Sequence, residues 1–465
     1  MRVSFCKINV MLDTYLFNVL GYFKDKRVKK NVLLLAQLVI LTGHLRIFSM
    51  SKDKAQYDVL KGLLSGGQVQ TLSSATLVEA IRDEAVARLG AVWATYVLHD
   101  GSDIRKPNAQ DMEYLGKVMS LQKQVISGYK TMNSVAVDVF GKELTLIDHT
   151  TFSTAQPEYV TQELVNDVRK NPSKDPDLAQ KIAKGDYVNN STVYLQAVQN
   201  SHNTIKRARL DIKITHIQDR EFDSESCFEY VNDLGDEFIT RLKLSRLSNH
   251  SQPTFTPTGK VSRRVVYEKL IDTAFKHTSQ YAIKRVTIKN KTYVNVKCRI
   301  EWDKLVLNNR LYTVIRITLM NEKGQNIFLQ PMMLITNRAI ETAQDAQQIY
   351  QAYLLRFKIE VVFRFLKTNL GWETFQVRDF ESIKNLIALA FFLVGYFKEL
   401  NEDIQKHEIY ALIAKIGGGK GIISVNFLLK GIEKIAHFQQ IQQLIDDNII
   451  TKEDIENAMR DFKQT

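Results

Sequence analysis

VWATYVLHDGSD, residues 92–103, is the stretch whose reading decides the fold. Aromatic and β-branched residues fill its first half, and Asp100-Gly101-Ser102 follows, so the pattern predicts a buried strand running into a turn. Upstream, residues 1–90 read differently. LLLAQLVIL (33–41), YDVLKGLL (57–64) and TLVEAIRDEAVARLGAVW (76–93) place apolar residues at helical spacing. Downstream, SVAVDVF (134–140) and ELTLID (143–148) flank Gly141-Lys142 and predict a hairpin. After a polar stretch with helical patches, IKITHIQ (212–218) is a strand ending at Asp219. SESCFEYVNDLG (224–235) is a helix with a Ser start and a Gly stop, and EFITRLKL (237–244) is the next strand. Strands alternating with helices predict an α/β layered domain. In such sheets reactive groups gather at the carboxyl ends of strands, the position both Asp100 and Asp219 take in this reading.

Residues 245–338 change character. Ser245 to Pro257 is rich in Ser, Thr, Pro and Asn and reads as a linker. YAIKRVTI (281–288), TYVNVKCRIEW (292–302), RLYTVIRITL (310–319) and IFLQPMMLIT (327–336) read as strands. Between Lys260 and Ile300 there are 11 Lys and Arg against 2 Asp and Glu, so much of the chain's formal charge of +12 sits here. Lysines protecting an edge strand need no such bias. A phosphate-facing surface does, because basic side chains on a polyanion release condensed counterions.

Residues 340–370 read as one long helix containing YLLRFKIEVVFRFLK (353–367). At about 100° per residue, Tyr353, Arg356, Glu360 and Lys367 fall within roughly 60° of one face. Leu355, Ile359, Val362 and Leu366 form an apolar stripe opposite. An Arg356–Glu360 pair at i,i+4 is by itself worth only a few tenths of a kcal/mol. Two strand-end aspartates and one helix-borne glutamate make a stronger set: three carboxylates bind hard divalent cations through oxygen. Two such ions roughly 3.5–4 Å apart clamp the attacking and leaving oxygens of an in-line displacement at phosphorus.

Tyr353, Arg356, Glu360 and Lys367 fit without a gap the Tyr-x2-Arg-x3-Glu-x6-Lys signature of DDE transposases of the insertion-sequence-four family. LHDGSDIRKPNAQDMEYL (98–115) resembles that family's first-aspartate block, and IQDREFDS (217–224) its Asp-Arg-x-Phe block. The resemblance spans residues 20 to 400, with the three blocks in the family's order. It implies an α/β fold with a ribonuclease-H-like mixed-sheet core interrupted by a β-rich insertion. Asp100, Asp219 and Glu360 would be the catalytic and metal-holding residues. Asp103, three positions beyond Asp100, is the rival for the first place. Mg²⁺, as two ions with Mn²⁺ as substitute, would be the cofactor. Tyr353, Arg356 and Lys367 would contact DNA. Any aromatic residue that stacks a flipped base would come from the insertion; Trp302 is the one Trp there, and no role is assigned to it.

The expected organisation is a helical DNA-end-binding domain (1–90), the core's first part (91–244), the basic insertion (245–338), the core's second part (339–400) and a helical segment supporting dimerisation (401–465). The resemblance implies cut-and-paste transposition through hairpin ends. Its partners would be the element's terminal inverted repeats and target DNA, held by a homodimer in a bacterial cytoplasm near the nucleoid. An inactive DNA-binding relative and a metal-dependent nuclease that does not join ends are the alternatives. Cys6, Cys227 and Cys298 are far apart and form no CxxC pair, which fits a reducing compartment and no zinc ribbon. The apolar stretches at 32–42 and 386–397 are shorter than the ~20 residues a bilayer needs, and predict buried helices with no membrane partner.

Overall fold

A computed structural model describes residues 12–17, 19–65, 72–255, 261–288, 291–307, 310–404, 408–419 and 425–456. Cys6 lies outside them. The chain forms two compact units: residues 81–103 with 115–361, and residues 1–80 with 104–114 and 362–465.

The first of these units is built on a ten-stranded mixed sheet. Its strands are β1 (Ala94–Arg105), β2 (Gly116–Met119), β3 (Val125–Asp138), β4 (Leu144–Phe152), β5 (Lys213–Gln218), β6 (Glu237–Arg241) and, after a separate ribbon of β7 (Leu247–Phe255) and β8 (Val261–Lys269), β9 (His277–Ile288), β10 (Lys291–Leu307), β11 (Arg310–Met320) and β12 (Met332–Thr336). The spatial order is β2-β3-β1-β5-β6-β12-β11-β10-β9, with β4 paired to β3. β1, β5 and β6 run parallel. Thr95 Oγ1 donates to the Val137 carbonyl and Thr131 Oγ1 to that of Ser102, so β1 and β3 run in opposite directions. β3 and β4 form the expected hairpin, with Gly141 at φ +67° in its turn. The order β4-β3-β1-β5-β6 is compatible with a ribonuclease-H-like core.

Helices of the same unit pack on this sheet. In chain order the helices are α1 (Lys26–Thr42), α2 (Ile47–Met50), α3 (Lys54–Leu64), α4 (Ser74–Leu89), α5 (Gln162–Lys170), α6 (Pro176–Lys184), α7 (Asn190–Ala208), α8 (Glu225–Asp233), α9 (Ala343–Leu354), α10 (Phe357–Asn369), α11 (Phe380–Ile404), α12 (Glu408–Ile416) and α13 (Val425–Asp446). α7 begins in an Asn189–Thr192 capping box, and Ser224 caps α8 by accepting from the Cys227 amide. Val193, Tyr194, Ala197 and Val198 of α7 pack with Phe228 and Val231 of α8 and Phe238 of β6. Toward its C-terminal end, Ile205 meets Val97 of β1, Ile147 of β4 and Ala85 and Leu89 of α4.

Three expectations change, and the insertion's attachment becomes visible. β1 does not stop at Asp100 but continues through Asp-Gly-Ser-Asp to Arg105, because β3 still pairs with it after β5 has ended. The expected linker holds a strand: Leu247–Phe255 is held by backbone pairing to Val261–Lys269, which needs no apolar alternation, and residues 256–257 lie outside the described residues. The basic insertion divides between the β7–β8 ribbon and the core sheet. β12 pairs with β6 (Ile335 opposite Thr240), and β11, β10 and β9 follow in turn, so the core sheet is extended across its β6 edge. Finally, 340–370 is two helices. At residues 355–359 the bonding is i→i+3, with Arg356 N–H to Tyr353 O at 3.0 Å and Ile359 N–H to Arg356 O at 3.1 Å. No Gly or Pro marks the break.

The second unit is helical. Residues 386–397 of α11 carry no charged side chain, and residues 380–400 are long and apolar enough to cross a bilayer, yet most of that stretch is buried. Asn385 on it donates to the Leu64 carbonyl and accepts from the Ser74 amide. Tyr15 donates to the Phe392 carbonyl at 3.0 Å, and the Trp372 indole to that of Ile387 at 3.1 Å.

Candidate active site

The parallel ladder between β1 and β5 ends at His99 opposite Gln218. Asp100 and Asp219 are the next residue on each strand. They are therefore neighbours just past the end of the ladder, on the face opposite His99 and Gln218.

The third carboxylate arrives from that same face. A Thr342–Asp345 capping box starts α9, which carries Tyr353; α10 carries Glu360. Ile359, Val362 and Leu366 are buried as the apolar stripe required. Arg356, at the junction, is 5% exposed. Its Nη1 lies 2.8 Å from Asp100 Oδ2 and its Nη2 2.5 Å from Glu360 Oε1. Tyr353, 1% exposed, donates to Asp219 Oδ1 at 3.3 Å. Burial and then the Asp219 charge push the Tyr353 phenol up to about 12, so it remains a donor. Arg241 reaches the same Asp219 oxygen at 3.9 Å.

Burial pushes the Asp100 carboxyl up to about 7; Arg356 pulls it down, while Asp219, Glu221 and Glu360 push it up. Burial works against the Arg356 charge, but Asp100, Asp219 and Glu360 outweigh it and raise its pKa. The site is thus an acidic cluster incompletely neutralised.

Five of the expected site residues, Asp100, Asp219, Tyr353, Arg356 and Glu360, are linked in this way. Lys367 lies two turns beyond Glu360 on α10, where its ammonium pairs with Glu373 at 3.3 Å. Asp103 accepts from the Met119 amide at 3.1 Å, tying β1 to β2.

Two features were not anticipated. Glu221, in the Asp219-Arg-Glu run, adds a fourth carboxylate; it accepts from the Tyr194 hydroxyl. A cavity of about 560 Å³ opens beside Asp219 and Glu221, walled by Tyr159, Asn190, Arg220 and Lys243. Behind the aspartates a buried polar chain crosses the sheet. Asp236 accepts from His216 Nε2 (3.1 Å), His216 Nδ1 then accepts from His99 Nε2 (2.8 Å), and His99 Nδ1 accepts from Ser134 Oγ (2.8 Å). The carboxylate at one end fixes both tautomers, and every ring nitrogen is satisfied. Proximity of Glu221 to Asp219 in sequence was the available signal for the first feature; nothing local marks the second.

Asp100 where β1 loses its parallel partner, Asp219 just past the end of β5 and Glu360 on a helix thus gather three carboxylates from three elements. The sequence family described as "Transposase DDE domain" matches residues 139–394, more than half of the 465, and the chain belongs to that family. Asp219 and Glu360 fall inside the matched span and Asp100 precedes it. No curated protein matches the chain.

Membership makes transposition the functional class, DNA the substrate and nuclease-type chemistry the activity, and the family generally uses divalent metal ions. The donors present suit such ions, being carboxylate oxygens in a cluster with excess negative charge. Their spacing does not yet form a metal-ready group: among the described residues no three acidic, His or Cys side chains are placed to hold one ion. The Arg356 guanidinium stands between Asp100 and Glu360 instead.

Proposed function

We propose that the chain is a cut-and-paste transposase of the insertion-sequence-four branch, with Asp100, Asp219 and Glu360 as its catalytic carboxylates. The observation that carries this reading is the meeting of Arg356 with both Asp100 and Glu360, beside an Asp219 carried on the neighbouring strand. These carboxylates would hold Mg²⁺, which when bound activates an oxygen nucleophile and stabilises the departing 3′ oxygen. Tyr353 keeps Asp219 oriented through its hydrogen bond. Arg356 and Lys367 serve DNA phosphates near the scissile bond, and the exposed cations of β9 and β10 hold the duplex farther off.

The same three side chains serve each displacement at phosphorus. Water cuts one strand at the element's end. The freed 3′-OH attacks the opposite strand to give a hairpin, hydrolysis reopens it, and the 3′-OH then joins target DNA. Two ends must be held together, so the working form is a homodimer on paired inverted repeats.

The deciding experiment supplies pre-nicked and intact element ends with Mg²⁺ and target plasmid. Cleavage with joining, both lost in Asp219→Asn, is expected. Cleavage without joining would make the protein a nuclease, and end binding with neither product would make it an inactive relative.

A further inference from the structure

We infer that Arg356 is a built-in counter-ion that holds the acidic site closed and competes with divalent cations for Asp100 and Glu360. This rests on the metal reading of that site and adds its regulation.

One guanidinium spans two carboxylates from different elements, using a separate nitrogen for each. A planar fork suits such bridging; a point charge does not. The bridge occupies the oxygens an ion would need, Oδ2 of Asp100 and Oε1 of Glu360.

The arrangement satisfies the carboxylates better than the arginine. Arg356 Nε is buried and has no hydrogen-bond partner. An unmade donor in a buried setting is costly, so the guanidinium has a reason to move once its two partners are taken by something else. Charge supplies that something. Asp100, Asp219, Glu221 and Glu360 gather four carboxylates here; Arg356 holds Asp100 and Glu360, and Arg241 lies 3.9 Å from Asp219. Divalent ions bring positive charge to those carboxylates and repel the guanidinium. The backbone allows the change, because Arg356 sits at the i→i+3 junction between α9 and α10 rather than inside a continuous helix. Released from the carboxylates, the guanidinium is free for a DNA phosphate, which would satisfy the unmet Nε–H. Metal loading and the arrival of DNA therefore favour each other through one side chain.

The test titrates Mn²⁺ into the full chain without DNA and follows the free-ion electron paramagnetic resonance signal. Arg356→Gln is expected to bind Mn²⁺ roughly ten-fold tighter than the parent, about 1.4 kcal/mol. Arg356→Lys, able to sit on one carboxylate but not bridge both, should fall between them, and it carries the test should the glutamine variant not fold. Asp219→Asn should weaken binding in the parent. If the parent binds Mn²⁺ in an Asp219-dependent way and neither Arg356 variant binds it more tightly, the counter-ion role is overturned and the metal reading stands. If no variant binds Mn²⁺, or Asp219→Asn leaves binding intact, both fall together.

Discussion

At the scale of single residues, the acidic set was legible because each aspartate follows an apolar run and Glu360 follows Arg356 by one helical turn. Contacts between distant segments were not. Nothing near Arg356 in sequence says that its guanidinium reaches back to Asp100, 256 positions earlier. Glu360→Gln keeps the side chain's shape and removes its charge. It is expected to slow single-turnover cleavage of an element end roughly a thousand-fold, about 4 kcal/mol of barrier, while a gel-shift assay still finds the end bound. The buried histidines make a second, independent prediction. Burial holds His149 down to about 3 and His99 well below the usual histidine range, so both stay neutral in the folded chain. The unfolded chain takes up those protons below about pH 6.5, so stability present at neutral pH is lost as pH falls through the window from 6.5 toward 3. The share carried by His149 is about 3 kcal/mol at pH 4. Asp100 acts in the opposite sense: its raised value favours the folded chain at low pH, and that contribution fades as pH rises toward 7. Urea midpoints of the parent and His149→Gln between pH 7 and 4 separate the two. The variant should show a shallower acid slope, and equal slopes would refute the assignment.

At the scale of elements, patterning located most helices and strands, while their ends followed rules that composition does not carry. Asp-Gly-Ser reads as a turn, but in β1 it remains strand because β3 continues alongside. Residues 353–367 are two helices rather than one, broken at Leu355–Arg356, and Arg356 still pairs with Glu360 over the first turn of α10. That junction is braced by the β3–β4 turn. A Cβ on Gly141 would meet Leu355 Cδ2 at 2.5 Å, in a backbone at φ +67° that L-residues rarely adopt. Gly141→Val should lower stability to urea by about 2–3 kcal/mol. Gly185→Val is the matched control, having φ +75° with open space around the position. It should cost about 1–2 kcal/mol from backbone strain alone. If the two cost the same, the turn does not brace the junction.

At the scale of the whole molecule, charge asymmetry singled out the basic segment but could not show how it is attached. An insertion is a statement about chain order; its strands β9 to β12 join the core sheet through the pairing of β12 with β6, set by two apolar runs far apart in sequence. Lys284, Arg285 and Lys291 are exposed on β9 and β10. Changing each to Gln should weaken binding to any duplex and lower the slope of log affinity against log salt by roughly 0.9 per charge removed. Fluorescence anisotropy at several salt concentrations measures this, and an unchanged slope would place the duplex elsewhere.

The unbroken sheet has one more consequence. β5, which runs up to Asp219, and β10 are four strands apart, about 19 Å across the sheet. That is close to half a turn of duplex, at 3.4 Å per base pair. A hydrogen-bonded ladder stretches little, so DNA gripped at β10 would meet the scissors at a set count of bases. The sheet then works as a ruler, and breakpoints should fall on a single phosphate rather than scatter over several.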